Sequence, residues 1–289
     1  MGKDLFEQST IAKSLFKQAD DVLGLPLSKI CFEGPEEELK QTKNTQPAIF
    51  LHSVVLTQIM ESESADMTAG HSLGEYSALV YAKALSFEDG LRIVRFRGEA
   101  MQRSGEQHPG TMAAVVGLEA NVLEEVCKEA SAAGIVQCAN FNSPGQIVVS
   151  GSVSGVRKAM ELAKLRGAKL VKELVVSGAF HSPLMQSARE DLHNALQKVT
   201  INDAQIPVYA NVTAKPVSRA AEIRQLLVEQ LTSPVRWDEI VRQMVNDGAT
   251  KLTEIGPGKV LQGLVKRIDP NVQTKGVDKF VDIQKPVAV

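Results

Sequence analysis

The segment Gly70-His71-Ser72-Leu73-Gly74 constrains the fold of this chain more than any other stretch. It follows a short run, residues 65–69, that reads as a strand, and it precedes residues 75–84, whose apolar positions have helical spacing. G-x-S-x-G between a strand and a helix is typical of a sharp turn that projects the serine hydroxyl into a cleft. We expect both glycines to be required, because a Cβ at either position would clash with the turn. The pattern alone is common by chance, and an ordinary strand-to-helix turn is the alternative.

The order of the other predicted elements divides the chain into two parts. Residues 109–177 follow the order β-α-β-β-α-β, which is typical of a ferredoxin-like subdomain. Elsewhere we predict helices over 4–24, 47–60 and 87–102 and a strand over 206–212. Pro47 is expected to begin the second helix. The chain is thus predicted to have an α/β fold, with an α/β-hydrolase-like large subdomain, residues 1–108 and 178–289, and an inserted ferredoxin-like small subdomain.

Composition argues against several classes of function. The 289 residues include 32 Lys and Arg against 34 Asp and Glu, a net charge of -2, so no whole-chain field attracts nucleic acid or an anionic membrane. The amino terminus has no apolar signal core, and no stretch approaches about 18 uninterrupted apolar residues. Three cysteines without CxxC spacing are expected to be buried thiols. We expect a cytoplasmic protein that binds neither nucleic acid nor membrane and holds no metal.

A serine nucleophile needs a base, normally histidine, and the chain has five. His52 and His193 are predicted on helices and His108 in a polar loop, so ordinary structural roles are favoured for all three. His71 adjoins the serine, but neighbouring side chains on such a turn point apart. His181 lies in a loop, SGAFHSP, between a strand end and a helix, where catalytic groups are often placed. It is the expected base, although a loop histidine taken singly is more often structural.

Six ordered stretches of the chain resemble a single family. They are GHSLGEYSALV (70–80), IVRFRGEAMQ (93–102), FNSPGQIVVSG (141–151), VSGAFHSPLM (176–185), EQLTSPVRW (229–237) and EIGPGKVLQGL (254–264). Together they are similar to the malonyl-CoA:acyl carrier protein transacylases of bacterial fatty acid synthesis and to the acyltransferases of polyketide synthases. The resemblance implies a monomer without a cofactor, which moves a malonyl group from malonyl-CoA to an acyl carrier protein through a serine ester.

The resemblance also implies roles for individual residues. Ser72 is implied to be the nucleophile, His181 its general base, and the Leu73 N–H a donor to the oxyanion. Arg97 is implied to bind the free carboxylate of malonate, because a guanidinium matches a carboxylate and discriminates against acetyl. Considered without the family, Arg97 reads as a solvated helix charge. The histidine is implied to be oriented by a backbone carbonyl, at Gln230, rather than by an aspartate.

The resemblance further implies that Asn142 and Phe180 line the acyl pocket.

Several other functions stay open on the residues alone. A free-standing acyltransferase that loads polyketide carrier domains would share the chemistry and differ in its carrier. A serine esterase or thioesterase shares G-x-S-x-G, but it would want an acidic residue beside His181 and no arginine for malonate. A catalytically weakened, partner-binding protein is the third alternative.

The sequence of this chain departs from the family pattern at the amino terminus. Family members begin with a strand and a Gly-Gln-Gly-Ser-Gln loop, whose last glutamine supplies the second oxyanion N–H. This chain opens with MGKDLF, which resembles the segment after that loop, so we expect the strand and this donor to be missing. One lost donor costs about 10²–10³ in rate. A start site assigned too late and a sequence that omits the segment are favoured over a real truncation, because the serine, histidine and arginine positions are filled.

Overall fold

The computed structural model describes residues 1–60 and 64–283. The helices are α1 Lys3–Gln8, α2 Thr10–Leu23, α3 Leu27–Glu33, α4 Glu36–Leu39, α5 Thr42–Ile59, α6 Gly74–Tyr81, α7 Phe87–Gln107, α8 Ala120–Ala130, α9 Val153–Leu165, α10 Gln186–Leu196, α11 Ala220–Glu229, α12 Trp237–Asn246, α13 Val260–Ile268 and α14 Phe280–Ile283, with a 3₁₀ turn at Pro183–Met185. The strands are β1 Thr68–Ala69, β2 Gly110–Val116, β3 Val136–Ser143, β4 Gln146–Ser152, β5 Leu170–Glu173, β6 Val208–Tyr209, β7 Pro216–Val217, β8 Lys251–Ile255 and β9 Gln273–Val277.

Helices α5 and α7 pack side by side in the largest apolar core. The Ser86 hydroxyl caps α7 by accepting a hydrogen bond from the Asp89 N–H. Gly98 lets the two helices approach closely, since a Cβ there would lie 2.9 Å from the Thr42 carbonyl oxygen. The close approach brings the neighbouring Arg97 against the side chain of Gln46 on α5.

A small sheet in the order β1-β6-β7 places two loops together. Strands β1 and β6 are parallel, with Ala69 opposite Tyr209. Because the carboxyl ends of parallel strands meet at the same edge, the segment after Ala69 lies beside the segment after Tyr209. The turn that carries Ser72 therefore lies next to Asn211.

The segment between residues 110 and 173 forms an antiparallel sheet in the order β3-β4-β2-β5. Helices α8 and α9 cover one face and share with it a separate apolar core that includes Leu123, Val149 and Val156. On the other side, Met112, Ala139 and Val148 form a small cluster that Phe180 contacts. Backbone bonds join Val235 to Ala139 and Phe141 of β3, so this sheet is attached to the segment that follows α11.

Several element boundaries differ from the sequence-based expectation. The helix predicted over 4–24 is two helices, because Ser9 is extended, ends α1 and caps α2 through its hydroxyl. Pro47 lies inside α5 rather than at its start, since the helix already begins at Thr42. The strand predicted over 206–212 is reduced to Val208–Tyr209, and β7, β9 and the parallel β8-β9 pair were not anticipated.

Candidate active site

The backbone of the Ser72 turn is strained. Ser72 has φ +52°, a left-handed value that a residue with a side chain adopts only when its surroundings hold it there. A Cβ on Gly70 would lie 1.9 Å from the carbonyl carbon of Gly74, so Gly70 must be glycine. A Cβ on Gly74 would meet no atom within 4 Å. The expectation of a clash is thus correct at Gly70 and wrong at Gly74, where the side-chain position is open.

Asn211 fastens this turn from the neighbouring strand. Its Oδ1 accepts a hydrogen bond from the Ser72 N–H at 2.6 Å, and its Nδ2 donates to the Gly70 carbonyl at 2.7 Å. Asn211 is fully buried, so neither bond competes with water. The strained serine conformation is therefore held by a side chain from the segment after β6.

Ser72, His181 and Gln230 form a hydrogen-bonded row. The Ser72 hydroxyl lies 2.8 Å from His181 Nε2, and His181 Nδ1 lies 2.8 Å from the backbone carbonyl oxygen of Gln230. A carbonyl only accepts, so Nδ1 carries the proton and Nε2 is left free to accept from the serine. This is the geometry of a nucleophile beside a base whose tautomer is fixed.

His181 is held as a neutral imidazole. Burial and then the positive charge of Arg97 lower the pKa of His181 to about 3, against the ordinary 6.5. The residue has φ +57°, and its backbone carbonyl accepts a hydrogen bond from Gln137 Nε2 at 2.8 Å. The imidazole is therefore unprotonated and fixed in place at neutral pH, as a general base must be.

Arg97 reaches the serine from α7. Its side chain is 1% exposed, so the reading as a solvated helix charge is wrong. Nη2 donates to the Ser72 hydroxyl at 3.0 Å and to Gln230 Oε1 at 2.9 Å, while Nη1 donates to Gln46 Oε1 at 2.7 Å. The guanidinium also lies over the Tyr76 ring, 5.6 Å from its centroid. A cation buried this deeply with mostly neutral partners can bind an anionic group that arrives beside Ser72.

A buried carboxyl group, Glu75, lies in the first turn of α6. Its Oε2 accepts hydrogen bonds from the Asn211 N–H and from Gln230 Nε2, both at 2.9 Å. Burial raises the pKa of Glu75 to about 7, while the two hydrogen bonds and the charge of Arg97 oppose that rise. Glu75 contacts neither His181 nor the Ser72 hydroxyl in the bonds that it forms, so it does not take the place of an acidic histidine partner.

The remaining predicted residues lie around this row. Leu73 follows the nucleophile directly and is the residue immediately before α6. Asn142 Oδ1 lies 2.9 Å from Nε2 of His71, the residue before the serine. Phe180 is half-buried between the large core and the second face of the β3-β4-β2-β5 sheet. The structure thus brings all seven predicted residues to one region, with Asn142 attached through His71.

Among residues 1–60 and 64–283, no group of three or more His, Cys, Asp or Glu side chains could hold a metal ion. Over the same residues, no helix is long and apolar enough to cross a membrane. The three cysteines are buried and free.

Comparison with known proteins agrees with this geometry. Residues 1–276 match the family model described as Acyl transferase domain. A malonyl CoA-acyl carrier protein transacylase of Bacillus subtilis is 49% identical over 280 residues, which are 96% of this chain and 88% of that protein. One of Haemophilus influenzae is 42% identical, over 95% of this chain and 89% of that protein. This chain belongs to the malonyl CoA-acyl carrier protein transacylase family.

Solved structures of the family share the fold. An acyl carrier protein S-malonyltransferase from Vibrio cholerae is 40% identical with a TM-score of 0.95, covering 98% of this chain and 94% of that one. A malonyl-transacylase in complex with its type II PKS acyl-carrier protein is 38% identical with a TM-score of 0.95, covering 98% and 93%. The chain therefore has the mixed α/β fold of these acyltransferases.

Sequence reasoning missed three residues of this site: Gln46, Glu75 and Asn211. Glu75 carried a signal, because a charged residue three positions after the serine opens a helix that is otherwise largely apolar. Asn211 follows a short strand, a position from which polar side chains often reach a site. Gln46 carried none, since its role depends on how closely α5 and α7 approach each other.

Proposed function

We propose that this protein transfers a malonyl group from malonyl-CoA to the phosphopantetheine thiol of an acyl carrier protein, in fatty acid biosynthesis. The observation that carries the proposal is the contact of Ser72 with both a neutral His181 and a buried Arg97. The first contact suits a nucleophile. The second suits an acyl group that ends in a carboxylate. The names of the relatives point to the same reaction.

In the first half of the proposed reaction, Ser72 Oγ attacks the thioester carbonyl of malonyl-CoA and passes its proton to His181 Nε2. The Leu73 N–H is proposed to donate to the oxyanion that forms. When the tetrahedral intermediate collapses, the carbon–sulfur bond breaks and the coenzyme A sulfur takes the proton from His181. A malonyl ester remains on Ser72, and no metal or bound cofactor takes part.

In the second half, the carrier thiol gives its proton to His181 and attacks the ester carbonyl. The ester bond breaks, and Ser72 Oγ recovers the proton. Water could attack the same ester, but the histidine is oriented by the Gln230 carbonyl. A carbonyl stabilises an imidazolium less than a carboxylate does, so attack by water is expected to be slow. This suits a transferase.

We propose that Arg97 selects malonyl over acetyl. The malonyl carboxylate lies three bonds from Ser72 Oγ in the ester, and Arg97 Nη2 is already 3.0 Å from that oxygen. A guanidinium offers two parallel N–H donors to a carboxylate. Asn142 and Phe180 are proposed to border the acyl group, with Asn142 placed through its bond to His71.

We propose that residues 109–177 are a ferredoxin-like small subdomain, inserted into an α/β-hydrolase-like large subdomain of residues 1–108 and 178–289. The strand order β3-β4-β2-β5 and a separate apolar core support the small unit. The strand, the strained serine turn and the helix around Ser72 support the large one. A monomer in the cytoplasm is proposed as well, and three buried free thiols suit a reducing compartment.

Two alternatives differ from this proposal in testable ways. Loading of a polyketide carrier would use the same residues, and one similar structure is a complex with a type II PKS carrier. An esterase or thioesterase would use water as the acceptor, for which an acidic partner of His181 is expected. The bond from His181 Nδ1 to a backbone carbonyl favours the transferase.

Steady-state kinetics with a carrier protein tests the proposal. Malonyl-CoA and a carrier that bears phosphopantetheine are varied together, and the product is identified by its intact mass. We expect parallel double-reciprocal lines and malonyl on the carrier, and none on a carrier without the prosthetic group. Release of coenzyme A without a malonylated carrier would instead indicate a thioesterase. Relative kcat/KM for fatty acid and polyketide carriers assigns the pathway.

A further inference from the structure

The Glu75 carboxylate connects the two halves of the catalytic pair. Its Oε2 receives one hydrogen bond from the Asn211 N–H, and the Asn211 side chain holds the Ser72 turn. The same oxygen receives a second hydrogen bond from Gln230 Nε2, and the Gln230 backbone carbonyl holds His181. Three separate segments, the start of α6, the residues after β6 and the end of α11, therefore converge on one carboxylate oxygen.

The contact with Glu75 is one of three hydrogen bonds that orient the Gln230 side chain. Its Nε2 donates to Glu75 Oε2 and to the Ser72 carbonyl, at 2.9 and 3.1 Å, so its Oε1 is left to accept from Arg97 Nη2. A flipped amide would set two donors against each other at Arg97. Together with the Ser72 carbonyl and Arg97, the acceptor at Glu75 holds the amide in this orientation.

We propose that Glu75 is a positioning residue for this reaction, which acts through Asn211 on the nucleophile and through Gln230 on the base. The inference rests on the proposed function. Glu75 is 3% exposed and touches no reacting atom, so its effect is on geometry. A misplacement of about 1 Å at a reacting group can cost 10²-fold in rate. What the site requires is an acceptor oxygen at this position, more than a charge.

Two substitutions distinguish the effect of the position of the Glu75 oxygen from the effect of its charge. Glu75→Gln keeps an oxygen at the same reach and removes the charge, whereas Glu75→Asp keeps the charge and withdraws the oxygen by one methylene. We expect the kcat of Glu75→Asp for malonyl transfer to fall about 100-fold. We expect Glu75→Gln to lose less than about tenfold, because an amide oxygen is a weaker acceptor in the same place. The KM for malonyl-CoA should change little in both, since Gln46 still holds Arg97.

Leu79→Ala is the matched control for stability. Leu79 lies one turn later on α6, is 1% exposed and packs in the largest apolar core, and it forms no part of the hydrogen bonds described above. Its removal should lower Tm and leave kcat unchanged, so a loss of kcat in Glu75→Asp at equal or smaller loss of Tm reports on geometry. Equal losses in the Asp and Gln variants, or no loss in either, would overturn the inference. Failure of the parent enzyme to form a malonyl ester would reject the proposed function separately.

Discussion

Replacement of Arg97 by glutamine should abolish the preference of the enzyme for malonyl-CoA over acetyl-CoA. Arg97 is the buried cation beside Ser72, and glutamine leaves a donor for the acceptors that Arg97 now satisfies on Gln46 and Gln230. Each hydrogen bond to a charged group contributes about 1.5–3 kcal/mol. Two parallel bonds to the malonyl carboxylate therefore give about 3–6 kcal/mol, or roughly 10²–10⁴ in rate.

The assay is the ratio of kcat/KM for malonyl-CoA to that for acetyl-CoA, with the same carrier protein. In Arg97→Gln the malonyl value should fall by that factor, while the acetyl value should stay within about tenfold of the parent. The variant should also raise the pKa of His181, because the Arg97 charge is one of the causes that lower it. The acid limb of the rate profile should then move to higher pH.

Arg95→Gln is the control for this experiment. Arg95 also lies on α7. It donates hydrogen bonds to the Lys43 carbonyl and to Glu99, and none of these bonds involves Ser72. It should keep the malonyl-to-acetyl ratio of the parent. If Arg97→Gln lowered kcat/KM equally for malonyl-CoA and acetyl-CoA, Arg97 would have only a structural role. That result would refute its proposed role in selecting malonyl.

Further substitutions and a pH profile test the site geometry. Gly70→Ala should abolish Ser72 acylation, because its Cβ would lie 1.9 Å from the Gly74 carbonyl carbon, whereas Gly74→Ala should fold with an unchanged or higher Tm; equal damage in both would contradict the model of the turn. The pKa of His181 is about 3, so the base form is present above that value and acylation should show no acid limb near 6.5; a midpoint at 6.5 would mean an exposed imidazole. Asn211→Ala should lower kcat and change KM for malonyl-CoA less, since it releases the Ser72 turn without removing Arg97.

Much of the site could be predicted from sequence because its residues lie in local patterns. The G-x-S-x-G turn and the loop with His181 are both contiguous, and the six stretches similar to the family implied roles for Arg97 and Gln230. Arg97 shows the limit of this reasoning. An arginine on a helix is expected to be a solvated charge, whereas the structure buries Arg97 and gives it hydrogen bonds to Gln46 and Ser72.

The remaining differences come from contacts between distant segments. Glu75 and Asn211 are 136 positions apart, and their bond exists only because β1 and β6 pair in parallel. Strand β9 has weak alternation and is fixed by its pairing with β8. Gly70 and Gly74 look equivalent in the motif, but only a Cβ on Gly70 would collide with the other end of the turn. Sequence patterns describe what a segment prefers, and these features depend on what packs against it.

Ser72 is proposed to carry the malonyl group between the two substrates. The direct measurement is the intact mass of the purified chain after incubation with malonyl-CoA, beside a Ser72→Ala variant. We expect a gain of one malonyl group on the parent, none on the variant, and loss of that gain when a carrier thiol is added. A folded parent that gains no mass, or a variant that gains the same mass, would contradict it.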